Sequence, residues 1–131
     1  MALQNLRRLP SDLTDAEWEF IRYFLPPQKR YGRRRADDRA TLNGILYALS
    51  TGCRWRDLPP ERYGNGITCW RRLRVWQQDG VWERMAVNLL RELERKGKLN
   101  LRSGYLDASI REAKRGRKEQ RGTRRNIRKM P

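Results

Sequence analysis

Apolar residues recur at helical spacing in four stretches of the chain. In the first, Trp18, Ile21, Phe24 and Leu25 make one stripe. Thr14-Asp15-Ala16-Glu17 ahead of it fits a capping box: Thr14 accepts from the amide of Glu17, and Glu17 from the amide of Thr14. Leu13 and Trp18 are spaced as a hydrophobic staple, and Pro26-Pro27 stops the run, which predicts a helix over about 15–25. In the second stretch, Leu42, Ile45, Leu46 and Leu49 form the stripe, Asp37 or Asp38 suits the N-cap, and Gly52 suits the left-handed residue after the last turn. The third runs from Ile67 or Thr68 to just before Gly80. The fourth carries Trp82, Met85, Ala86, Leu89, Leu90 and Leu93 over about 81–96 and closes at Gly97. It either completes the core or pairs with another subunit. Between the second and third, Trp55 and Leu58 are three apart and fit one helical turn, Pro59-Pro60 forbids a long helix, and Tyr63-Gly64-Asn65-Gly66 is a turn by composition.

The third helix is the informative one. On a wheel at about 100° per residue, Cys69, Trp70, Leu73, Trp76 and Gln77 fall within one third of the circle and make the expected core face. Opposite them stand Thr68, Arg71, Val75 and Gln78, flanked by Arg72 and Arg74. Such a face suits a major groove: Arg for guanine or phosphate, Gln for adenine, Val for a thymine methyl. It equally fits an ordinary surface helix with solvated arginines. Composition favours the first reading. The 131 residues carry a net charge of +16 and no histidine, which repels itself and attracts polyanions. Arg33-Arg34-Arg35, in the basic loop 28–39, are further phosphate-binding candidates, with a solvated linker as the alternative.

The fold class expected is all-α: a small bundle of four main helices over 11–97, preceded by a loose arm over 1–10. Tyr105-Leu106-Asp107 reads as a short buried strand ending in a carboxylate. Over 111–131 the net charge is +8, half the chain's total, with only Ile127 and Met130 left as large apolar residues, so this tail is expected to be disordered. Cys53 and Cys69 without a histidine make no zinc site; each reads as a small buried hydrophobe in a reducing cytoplasm, with a disulfide between them the alternative. No apolar run approaches a membrane span of about 20 residues, and Met1 to Pro10 lack the apolar core of a secretory signal. A cytoplasmic, nucleoid-associated protein is expected.

Several blocks together resemble the N-terminal region of bacterial insertion-sequence transposases, the group called insertion-sequence family five. They are Leu13 to Trp18, Gly32-Arg33, Asp38-Arg39, Leu42 to Tyr47, Gly52-Cys53-Arg54-Trp55-Arg56-Asp57-Leu58-Pro59, Tyr63-Gly64, the Trp70–Trp76 helix, Asp79 to Trp82 and Asp107-Ala108-Ser109, in unbroken order from about Leu9 to Gly116. The resemblance implies a helical, helix-turn-helix-like DNA-binding domain that recognises the element's terminal repeats, followed by a ribonuclease-H-like catalytic domain, whose truncated start is 98–110, in which an Asp-Asp-Glu set holds two Mg²⁺ ions. Asp107 occupies the first carboxylate position of that set by motif, as a catalytic and metal-binding residue. The later carboxylates, Glu112 and Glu119, lie too close to replace the missing pair. The chain alone is therefore expected to be catalytically inactive and to hold no cofactor, with Mg²⁺ belonging to the complete enzyme. Double-stranded DNA is the expected partner, joined by a second-frame transposase polypeptide or by self-association. Two other functions fit the same residues: a stand-alone regulator that inhibits transposition by occupying the element's ends, and a nonspecific basic nucleic-acid-binding protein.

Overall fold

The computed structural model describes residues 7–27, 36–97 and 104–111, and every regular element among them is helical. Helix α1 spans Asp15–Ile21 and continues as a 3-10 turn over Arg22–Phe24. Helix α2 spans Asp38–Thr51, α3 Pro60–Tyr63, α4 Gly66–Gln78 and α5 Val81–Arg95, with a second 3-10 turn at Trp55–Asp57. A last helix, α6, covers 104–111. None of the described helices is long and apolar enough to cross a membrane.

The local signals act as their chemistry requires. Thr14 and Glu17 exchange both capping-box hydrogen bonds, at 3.1 and 2.8 Å. Asp37 caps α2 by accepting from the amide of Ala40 at 2.9 Å. That helix ends at Gly52, whose φ of 72° is cheap only for a residue without a Cβ. Pro60 sits in the first turn of α3, where its missing N–H has no partner to lose.

Helix α4 lies at the centre of the packing, against α2, α3, α5 and the Trp55–Asp57 turn. Leu42, Ile45 and Leu46 of α2, Cys69, Leu73 and Trp76 of α4, and Trp82, Met85 and Leu89 of α5 share one buried cluster. Helix α1 closes it with Ile21, packing against α5. Helix α5 thus completes the core. Cys53 and Cys69 are free thiols. Burial pushes the Cys69 thiol up to about 11, against the opposing pull of the Arg72 charge, so at neutral pH it is a protonated, inert part of the core.

The strand expected at 105–107 is instead part of α6. Leu106, Ser109 and Ile110 turn inward at spacings of three and four and are buried, which is helical and not alternating periodicity. Ser109 Oγ accepts from Trp82 Nε1 at 2.9 Å and donates to the Leu106 carbonyl at 2.6 Å, fastening α6 to α5. A lone strand here would leave its ladder unpaired, whereas a helix satisfies its backbone internally.

The segment before α1 is stitched to the bundle from Arg7 onward, where a loose arm had been expected through Pro10. Asp12, itself buried, accepts from the Leu9 amide at 3.0 Å and from the Tyr63 hydroxyl at 2.9 Å. Arg62 donates to the Arg7 carbonyl at 2.7 Å, and Asn43 accepts from the Leu13 amide at 2.8 Å. Burial, with Asp12 accepting its hydroxyl, holds the Tyr63 phenol well above its usual range. A hydrogen bond to a charged acceptor of this kind contributes roughly 1.5–3 kcal/mol.

Candidate nucleic-acid interface

Helix α4 presents a clean division of faces. Cys69, Leu73 and Trp76 are buried, while Arg71, Val75 and Gln78 are exposed and Thr68 is half-buried beside them. Val75 is 48% exposed, an uncommon position for a large apolar side chain on a helix otherwise anchored by its apolar residues. Asn65 caps the helix by accepting from the Ile67 amide at 2.8 Å. Its 13 residues span about 20 Å.

What aims this face is a backbone contact. A Cβ placed on Gly66 would lie 1.6 Å from the Trp55 carbonyl oxygen, so α4 begins directly against the Trp55–Asp57 turn. Leu58 is buried just after that turn. The turn in turn exposes Arg56, and Arg54, paired with Asp57 at 2.9 Å, beside the start of α4.

The two flanking arginines have different surroundings. Arg72 faces α2: its Nη1 lies 3.5 Å from Asp38 Oδ1, and both side chains are only 15% exposed. Its guanidinium also lies 5.8 Å from the Trp76 ring centroid. Arg72 is thus built into the α2–α4 contact, where the wheel had set it beside the DNA-facing residues. Arg74, on the other flank, has its guanidinium 5.8 Å from the Trp70 centroid. Trp70 is half-buried, at the edge of the core face and not within it, and Gln77 is likewise half-buried. The wheel could not show either arrangement, because Asp38 is remote in sequence and an edge position is decided by neighbouring elements. Asp38, which the sequence offers as an alternative N-cap, instead shapes this flank through its contact with Arg72.

Arg33, Arg34 and Arg35 lie outside the described residues. Asp107 is exposed on α6 and pairs with Arg111 at 2.7 Å. Among the described residues no three metal-ligating side chains come together.

A family model described as "Putative transposase of IS4/5 family (DUF4096)" matches residues 13–86, from the residue before the α1 cap into α5, with all of α4 included. The chain is 44% identical over 103 residues to the insertion element IS402 uncharacterized 16.2 kDa protein of Burkholderia cepacia, covering 74% of this chain and 70% of that one. It is 39% identical over 84 residues to the uncharacterized protein y4sN of Sinorhizobium fredii, covering 63% and 66%. No solved structure matches.

Proposed function

Because the chain belongs to the IS4/5 transposase family DUF4096, we propose that it is the DNA-binding part of an insertion-sequence transposase, recognising the element's terminal repeats through the outward face of α4. The observation that carries this reading is the exposure of Arg71, Val75 and Gln78 on one side of a helix whose other side is locked into the core. A helix about 10–12 Å across fits a major groove about 12 Å wide, and this face offers one cationic donor, one amide and one apolar contact to base edges. The one-turn helix α3 leads into α4 across Gly64-Asn65. The net charge of +16 supplies the sequence-independent attraction on which base reading builds. In this reading Asp107 is the first carboxylate of a catalytic Asp-Asp-Glu set and takes no part in binding DNA.

Arg71→Ala tests the assignment. The variant should lose about 1–3 kcal/mol of affinity for the terminal repeats and almost none for scrambled duplex, measured by mobility shift at fixed salt. Equal losses on both would make Arg71 a phosphate contact. Unchanged binding to both would remove α4 from the interface.

A further inference from the structure

We propose that Trp70 and Arg74 form a preorganised phosphate-binding site on one flank of α4, a shelf that holds a guanidinium for a DNA backbone phosphate. The proposal rests on α4 entering a groove, and it adds a site of different chemistry from the base-reading face.

Three observations converge on it. The Arg74 guanidinium lies over the indole of Trp70, 5.8 Å from its centroid. Its Nη2 is buried and has no hydrogen-bond partner. Among the described residues no carboxylate pairs with Arg74, whereas Arg72 on the opposite flank is held by Asp38 at 3.5 Å. Arg72 Nη1 is likewise buried and makes no hydrogen bond, so what sets Arg74 apart among the described residues is the absence of a carboxylate beside it. The covered Nη2 faces the protein, and a phosphate would meet the other guanidinium N–H groups of Arg74. Trp70 itself is half-exposed, so its ring is more than core filling.

The geometry selects the ligand class. On the wheel Arg74 lies about 60° around the helix from Arg71. When the Arg71 side of a helix faces base edges, its flanks face the two phosphate backbones that border the groove. The Arg72 flank is covered by α2, so only the Arg74 flank is open to one of them. A guanidinium is planar and stacks on an aromatic face, and its remaining N–H donors match phosphate oxygens. Fixing it on the indole before binding removes much of the rotamer entropy that a free arginine loses on contact.

The test uses the full chain, with terminal-repeat and scrambled duplexes, by mobility shift between about 50 and 200 mM salt. Arg74→Gln should weaken binding to both duplexes by the same factor, about five- to tenfold, and reduce the slope of log K against log salt by about one. Arg74→Lys should restore the slope but not the full affinity, since an ammonium does not stack as a plane. Trp70→Leu should reproduce most of the affinity loss, and Trp70→Tyr should recover it. If Trp70→Leu unfolds the bundle in a thermal melt, the Arg74 variants decide. A loss confined to the terminal repeats would make Arg74 a base contact and overturn the phosphate assignment while sparing the groove reading. Unchanged binding and slope in Arg74→Gln would overturn the site outright. If the unsubstituted chain binds neither duplex, the DNA-binding reading fails, and this site with it.

Discussion

Gly66→Ala is expected to destabilise the bundle by about 3 kcal/mol, at the upper end of overpacking costs, and to weaken recognition of the terminal repeats beyond what the stability loss explains. The added Cβ would meet the Trp55 carbonyl oxygen at 1.6 Å and its carbon at 2.7 Å. Both atoms are backbone, so no side-chain rotation relieves the overlap. Either the Trp55–Asp57 turn lifts away from α4 or the first turn of α4 unwinds. In the first case Leu58 loses its buried position; in the second the Asn65 cap is lost, at about 1 kcal/mol. Each outcome rotates or frays the N-terminal end of the proposed reading helix. Urea unfolding measures the stability change. Gly104→Ala is the control, since a Cβ there meets nothing within 4 Å, and it should shift stability by well under 1 kcal/mol.

Trp82→Ala should cost about 3–5 kcal/mol, enough to unfold much of a marginally stable domain at 37 °C. The side chain is fully buried at 0% exposure among residues of α4 and α5, and its indole N–H is satisfied by Ser109. Truncation leaves a cavity and removes the one side-chain hydrogen bond described between α5 and α6. Trp82→Phe separates the two effects. It keeps most of the volume and loses the donor, so the global loss should fall to about 1–2 kcal/mol. The amides of 104–111 should then exchange faster than those of α2, as α6 detaches before the rest of the bundle opens. Equal protection of α6 in Trp82→Phe and the unsubstituted chain would show that Leu106 and Ile110 alone hold it.

Much of this architecture was legible in the sequence because its signals are local. The Thr14–Glu17 capping box, the Asp37 cap and the Gly52 stop depend on residues within a turn of each other, and each takes the role its chemistry predicts. The division of α4 into a buried and an exposed side followed from the 3.6-residue period. What escaped depends on partners far along the chain. Arg72 sits against Asp38 because α2 crosses α4 there, and no periodicity encodes that contact. Asp12 is buried because Tyr63 and Arg62 meet it from across the bundle. The segment 104–111 shows a different failure. Tyr105-Leu106-Asp107 is too short for periodicity to separate strand from helix; the decisive residues were Ser109 and Ile110, just beyond it, which repeat the Leu106 position at helical spacing.

The central claim is that α4 reads sequence, beyond the attraction that a charge of +16 exerts on any nucleic acid. The most direct measurement is the dissociation constant for the terminal repeats of the chain's own element against a scrambled duplex of equal length, at about 150 mM salt. The account predicts a preference of about a thousandfold or more for the repeats, persisting as salt rises. Equal affinity for the two duplexes, falling together with salt, would contradict it and leave the chain a nonspecific basic binder.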